Sequence, residues 1–287
     1  MDIRIMQYFL AVIREGTISG AAEALHVAQP SLSRQMRELE EELDVILFER
    51  GNRRITLTEE GLVLRKRAEE MISLMQQTED ELSQVKNNTT GTIRIGAGES
   101  WAFQYIAQVA TELTHEYPGI KFNVKSGDSI DLMDELGKGL LDFALVFSDP
   151  DPSIYQFVTL PGADMYGVLM RKDSPLAKKK TLTMQDLLSE PVIISRGAQR
   201  HFSSDEVLSK LNITATYNLV YNASVMVKEG MGYAITFDRL INTSGESELT
   251  FVPLNPKIKI HGKLIWKKYQ ILSPSIKKFI EKMNVIL

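Results

Sequence analysis

Between positions 58 and 85 the chain has no proline and a single glycine. Its apolar and small residues Leu57, Gly61, Leu64, Ala68, Met71, Met75, Thr78, Leu82 and Val85 alternate spacings of four and three. That rhythm keeps one narrow apolar seam along one face of a long helix. At about 1.5 Å per residue such a helix extends about 40 Å, further than the short segment before it can cover. Its seam therefore calls for a partner helix, and the simplest partner is the same helix in a second chain related by a two-fold axis. The polar, turn-prone run Lys86-Asn87-Asn88-Thr89-Thr90-Gly91 then ends the helix and makes the main linker. With 287 residues in all, the chain is divided into a small leading unit, a helical connector and a larger trailing unit.

In the leading unit Met6, Phe9, Leu10 and Ile13 recur at helical spacing, and Gly16 stops that helix. Thr17 can cap the next one, whose Ala21, Ala22 and Ala24 are small enough to let neighbouring helices approach closely. A third helix follows almost at once, with Pro30 in its first turn and a buried stripe of Leu32, Met36, Leu39 and Leu43. Two short helices joined by a few residues, the second with a polar, arginine-bearing start, form the helix-turn-helix pattern. After Phe48, the turn signal Gly51-Asn52 and the alternating Ile55-Thr56-Leu57 predict a small hairpin, with Arg50, Arg53 and Arg54 on or beside its tip. A basic hairpin in that place is a wing suited to the phosphate backbone.

The trailing unit alternates strand and helix. Strands over 92–95 and 121–124, helices over 103–116 and 130–137 and an apolar run over 142–147 form one cycle. A second cycle runs through 166–170, 184–188, 192–195, 205–211, 216–220, 225–229 and 233–236. The succession predicts parallel α/β architecture in two similar lobes, to the first of which a late strand over 263–267 and a helix after Pro274 would return.

Composition limits the chemistry. Charged residues make up 24% and no apolar run reaches the roughly 18 residues of a bilayer span, while the start Met1-Asp2-Ile3-Arg4 lacks the pattern of a secretion signal, so the expected compartment is cytoplasmic, with no membrane partner. The absence of cysteine removes disulfides, thiolate nucleophiles and thiolate metal sites. Histidines at 26, 115, 201 and 261 are too scattered for metal-ligand spacing, so no metal and no cofactor are expected. Through Gly91 the chain carries 11 basic and 16 acidic residues, net -5, and thereafter 22 and 21, net +1. Any nucleic-acid role must then rest on the placement of particular arginines.

The order Ser19-Gly20-Ala21-Ala22-Glu23-Ala24-Leu25-His26-Val27-Ala28-Gln29-Pro30-Ser31-Leu32-Ser33-Arg34-Gln35-Met36-Arg37-Glu38-Leu39-Glu40, then Leu47-Phe48-Glu49-Arg50 and Leu57-Thr58-Glu59-Glu60-Gly61, closely resembles the N-terminal signature of LysR-type transcriptional regulators. After residue 91 the resemblance rests on strand-helix order, Gly139-Leu140-Leu141-Asp142 and Gly230-Met231-Gly232-Tyr233-Ala234. It implies an α/β multidomain protein. A winged helix-turn-helix DNA-binding domain over 1–60 and a dimerising linker helix over 61–90 would precede an effector-binding domain over 91–287. That domain would resemble the periplasmic binding proteins, with lobe 1 at about 91–161 and 266–287 and lobe 2 at about 162–265. It further implies a regulator rather than an enzyme, a homodimer assembled as a homotetramer, double-stranded operator DNA and a small-molecule effector as partners, and RNA polymerase as a further candidate. Two departures stand out. Ala28 replaces a usual serine and so removes a capping hydroxyl, and Asp44 replaces a usual glycine and must take up that glycine's turn geometry.

Within this frame Gln29, Pro30, Ser31, Ser33 and Arg34 are the candidate groove contacts, and Arg50, Arg53 and Arg54 the candidate phosphate contacts. Taken singly, each is equally readable as a solvated surface residue. The stretch Gly96-Ala97-Gly98-Glu99-Ser100-Trp101-Ala102 follows a strand and opens a helix. It matches a dinucleotide loop and a hydrolase elbow only incompletely, since Trp101 and Ala102 stand where small residues or glycine belong, and no catalytic residue is assigned. The alternatives are an effector site in which Ser100, Trp101 and backbone N–H groups hold an anion, or a plain helix cap. Ser129, after Ser126-Gly127-Asp128, and Arg196, after the strand ending at Ser195, complete the candidate effector set, with capping by Asp128 and surface ion pairing of Arg196 as the competing readings. An enzyme built on 92–287 and an assembly scaffold built on the long helix remain the rival functions; substrate turnover would mark the first, and dimers without sequence-selective DNA affinity the second.

Overall fold

A computed structural model describes residues 2–50, 55–84, 90–203, 206–270 and 272–286. The chain forms two compact units, Met1–Val85 and Lys86–Leu287.

The first unit contains α1 (Ile3–Glu15), α2 (Ile18–Ala24), α3 (Gln29–Leu43), the strands β1 (Phe48–Arg50) and β2 (Ile55–Leu57), and α4 (Glu59–Gln84). Local sequence sets each joint. Asp2 caps α1 by accepting from Ile5 N–H, Gly16 ends it at φ 69°, and Thr17 caps α2 by accepting from Gly20 N–H. The α3 start has no side-chain cap at Ala28, and Asp44 closes α3 at φ 53°, ψ 41°, so it adopts the left-handed turn expected of a glycine. Met6, Phe9, Val12, Ala21, Ala22, Leu32, Met36 and Leu39 close over one core with Leu47 and Phe48 from the wing. The antiparallel register pairs Phe48 with Leu57 and Arg50 with Ile55.

The long helix departs from expectation in one respect. Ala68 belongs to the core of its own unit, with Leu64, Met71 and Ile72 packed against it, so the first half of the seam is covered within the chain. Farther along, Leu74 and Leu82 are exposed, as are Leu62 and Val63 nearer the start of the helix. The seam periodicity marks the buried side of a helix without saying whether the cover comes from the same chain or another.

The second unit begins with β3 (Gly91–Ala97), α5 (Phe103–Glu116), β4 (Ile120–Ser126), α6 (Ser129–Gly137), β5 (Phe143–Val146) and β6 (Tyr155–Thr159). It continues through β7 (Asp164–Arg171), β8 (Pro191–Ser195), α7 (Arg196–His201), β9 (Asn212–Tyr217), α8 (Val220–Lys228), β10 (Tyr233–Phe237), β11 (Leu249–Pro253) and β12 (Lys259–Ile260), and ends with β13 (Lys263–Lys267) and α9 (Pro274–Ile286). Two sheets result, ordered β4-β3-β5-β13-β6 in lobe 1 and β11-β7-β10-β8-β9 in lobe 2, with β12 also on β7. Each sheet is covered on both faces. On β5, Phe143 and Leu145 join the side holding Ile106 and Phe279, while Ala144 and Val146 meet Leu132 and Leu136. In lobe 2, Val192 and Ile194 face one way and Ile193 packs with Ala223 and Val227 on the other. This alternation with apolar residues on both sides explains why the central strands read as near-continuous apolar runs.

The sheets are mixed rather than parallel. β3 is parallel to β4 and β5, but β13 runs antiparallel to β5 and β6, and β10 antiparallel to β7. The antiparallel members come from segments that cross between lobes, which a strand-helix alternation does not reveal. The strand expected over 263–267 returns to lobe 1 as β13, whereas Lys259 and Ile260 still pair with β7, so lobe 2 gives way at His261-Gly262, a few residues before the bound expected at about 265. The strand expected over 216–220 lies at Asn212–Tyr217, and the helix expected over 225–229 starts at Val220. Among the described residues no helix is long and apolar enough to cross a membrane.

Candidate functional site

The first unit presents the start of α3. Leu32, Met36 and Leu39 bury one face, and this leaves Gln29, Pro30 and Ser31 exposed and Ser33 half-buried. Arg34 is 79% exposed and its Nε lies 2.7 Å from Glu38 Oε1, one turn on, which holds the guanidinium along the helix surface. Ser33 Oγ accepts from Arg37 at 3.3 Å. Glu40, which the sequence reading did not single out, accepts from Leu47 N–H at 2.8 Å and Phe48 N–H at 3.2 Å, so a carboxylate at the end of α3 anchors the wing. Ile55 N–H donates to Gly16 C=O at 2.9 Å and ties the wing's return strand to the end of α1. Arg50 ends β1; Arg53 and Arg54 lie outside the described residues.

In the second unit a cavity of about 620 Å³ opens between the lobes, within the usual range for small-molecule sites. Lobe 1 contributes Glu99, Asp128, Ser129 and Phe147, and lobe 2 contributes Tyr166, Arg196, Arg200, His201, Tyr217 and Phe237. Ser129 and Arg196 are therefore brought together as expected. Ser100 and Trp101 are not among the lining residues. Ser100 is buried and its hydroxyl donates to Asp164 Oδ2 at 2.5 Å, while Trp101 N–H donates to Asp164 Oδ1 at 3.1 Å. The indole of Trp101 lies under the Arg239 guanidinium at 4.1 Å. A carboxylate from the start of β7 thus stands where an effector anion was expected. The pairing spans 64 positions and leaves no trace in local sequence.

Two more carboxylates are used the same way. Glu99 accepts from Val220 N–H at 2.5 Å, at the start of α8 across the cleft. Burial pushes its carboxyl above the ordinary carboxylate range, and this hydrogen bond pulls it partly back. Asp128 caps α6 through Oδ1, accepting from Ile130 and Asp131 N–H groups, and turns Oδ2 to within 2.6 Å of Arg196. Asp131 Oδ2 lies 2.8 Å from the same guanidinium, and Arg200 is 3.7 Å from Asp128 Oδ1. Both readings of Asp128 and Arg196 are realised together, as helix cap and as ion pair. Arg200 follows Arg196 by one helical turn and Asp131 follows Asp128 by three positions, a periodic signal the sequence did contain.

Part of the lining is aromatic. Phe147 and Phe237 meet edge to face at 5.2 Å, Tyr166 lies 4.6 Å from Phe237, and His201 stacks on Tyr166 at 5.3 Å. Partial burial lowers the His201 imidazole from its ordinary value, which disfavours its charged form. Burial pushes the Tyr217 phenol up to about 12, keeping it a donor to Ile235 C=O at 2.8 Å. The positive charge facing the cavity comes from Arg196 and Arg200.

A winged helix-turn-helix followed by a two-lobed α/β domain with an interlobe cavity defines a ligand-responsive DNA-binding regulator. The family profiles agree with that class. Residues 3–62 match the bacterial regulatory helix-turn-helix protein, lysR family, and residues 86–284 match the LysR substrate binding domain. The chain belongs to the LysR family of transcriptional regulators and is not an enzyme. It is 28% identical to the transcriptional regulator BsdA of Bacillus subtilis (strain 168), over 96% of this chain and 93% of that protein. The crystal structure of CbnR, a LysR family transcriptional regulator, superposes with a TM-score of 0.76 at 19% identity, covering 100% of this chain and 99% of that one. Full-length CbnR complexed with its target DNA gives a TM-score of 0.75 at 19% identity, with both chains covered completely.

Proposed function

We infer that this regulator reads operator DNA through Gln29, Pro30, Ser31, Ser33 and Arg34 at the start of α3, with Arg50, Arg53 and Arg54 on the neighbouring phosphates. A small anionic metabolite between the C-terminal lobes controls it. The observation that carries the reading is the interlobe cavity, in which Ser129 of one lobe and Arg196 of the other face the same space. The DNA half is supported by the exposed polar turn of α3 and by the likeness to a regulator solved on its target DNA. Residues 1–60, 61–90 and 91–287 serve as DNA-binding, dimerising and effector-binding parts of a cytoplasmic homodimer or tetramer that works beside RNA polymerase. Effector binding acts by favouring whichever lobe arrangement holds the ligand more tightly.

The test is binding of full-length protein to promoter fragments selected from genomic DNA, followed by fluorescence anisotropy. Arg34→Ala should lower affinity for a selected fragment by about 1–3 kcal/mol while leaving random DNA nearly unaffected, and Arg53→Ala should weaken both and flatten the salt dependence. Unchanged affinity for the selected fragment in both variants would remove the DNA assignment.

A further inference from the structure

Internal carboxylates occupy the positions that the interlobe region offers to an anion, and they differ in how readily they can leave. Asp164 is fully buried and lies off the cavity. Glu99 is committed to the backbone of α8. The Arg196 clasp is partly open to water: the Arg196 side chain is 49% exposed and Asp131 55% exposed, while Asp128 is 9% exposed. Asp128 can release Arg196 from Oδ2 and Arg200 from its 3.7 Å approach to Oδ1 while Oδ1 keeps the cap on α6. Arg200, one turn farther along the same helix, adds a second guanidinium beside the first. In the same cavity, Phe147, Tyr166 and Phe237 present a cluster of aromatic edges.

We propose that the effector is an amphipathic carboxylate, whose apolar or aromatic body lies on Phe147, Tyr166 and Phe237 and whose acid group takes Arg196 and Arg200 in exchange for Asp128 and Asp131. This rests on the reading that the cleft takes an anion, and adds the chemistry of the body and the exchange. A planar guanidinium can hold a carboxylate through two parallel hydrogen bonds, so a ligand carboxylate replaces the aspartates in kind. A fully polar dianion would strip water from the aromatic cluster without covering it with apolar surface. Because the clasp joins an arginine of lobe 2 to aspartates of lobe 1, exchanging it releases one restraint between the lobes. Binding is thereby coupled to lobe arrangement.

Calorimetric titration of the full-length chain with benzoate, cyclohexanecarboxylate, benzamide and malonate tests this. Benzoate and cyclohexanecarboxylate should bind, with benzamide and malonate at least tenfold weaker. Asp131→Asn should tighten benzoate about twofold to fivefold by weakening the competitor, and Arg196→Gln should weaken it at least tenfold. Malonate binding without benzoate or cyclohexanecarboxylate overturns the amphipathic class and leaves the anionic reading standing. Benzamide binding as tightly as benzoate, or benzoate binding unaffected by Arg196→Gln, overturns both. Equal or weaker benzoate binding in Asp131→Asn overturns the exchange, and failure of all four compounds with both wild type and Asp131→Asn overturns the proposal.

Discussion

Asp164 shows how a single residue can organise a junction. It opens β7 just after the chain passes from one lobe to the other, accepts from Ser100 and Trp101 at the start of α5, and is fully buried. Burial is the largest influence on its carboxyl and raises it above the ordinary value of 3.8, while the Ser100 and Trp101 hydrogen bonds act the other way. Between the ordinary value and the raised one, the folded chain binds this proton more tightly than the unfolded chain does. Stability from this group is fullest below the ordinary carboxylate value and declines as pH rises through the raised one. Asp164→Asn lacks that decline, so its melting temperature relative to wild type should rise as pH climbs above the ordinary carboxylate value of 3.8. A relative fall over the same climb would mean that the hydrogen bonds outweigh burial.

At the scale of elements, the wing and α4 meet at one close approach. Thr58 donates to Ile46 C=O at 2.6 Å and accepts from Gly61 N–H at 3.0 Å, which starts α4 directly against the strand leading into the wing. A Cβ on Gly61 would stand 2.3 Å from Leu47 C=O. Helix propensity alone predicts that Gly61→Ala stabilises by about 1 kcal/mol. The backbone contact reverses the sign, and a loss of about 1–3 kcal/mol is expected in urea unfolding followed by far-ultraviolet circular dichroism. Wing placement should loosen with it, seen as faster amide exchange at Leu47 and Phe48, whose N–H groups Glu40 otherwise holds.

For the whole molecule, the exposed side of α4 is the surface on which the proposed dimer is tested. Val63, 65% exposed, and Leu74 lie eleven positions apart, about three helical turns, and so on nearly the same outward face. Two apolar residues held out along a helix whose inner face is already covered suit pairing with a second copy. The double variant Val63→Lys, Leu74→Lys should shift sedimentation from dimer toward monomer, with its circular dichroism unchanged. DNA affinity should fall more than for any single groove contact, because paired half-site binding is lost.

Most of the first unit was legible in the sequence because its determinants are local. The Leu32-Met36-Leu39 stripe, the stop at Gly16, the Thr17 cap, the missing cap at Ala28 and the strained turn at Asp44 all act within a few residues of where they stand. Much of the strand and helix order in the second unit followed from periodicity for the same reason, though not β6, α7 or β11, and Ser129 and Arg196 open helices whose starts line the cleft. Strand direction, the early return at His261-Gly262 and the removal of Ser100 from the cavity depended on tertiary structure. Amino-acid order determined which segments become helices and strands and which faces must be covered, since those preferences arise in each residue's own backbone and neighbours. Which carboxylate reaches which cation, N–H or hydroxyl was decided only in the folded chain, where residues more than sixty positions apart come within hydrogen-bonding distance.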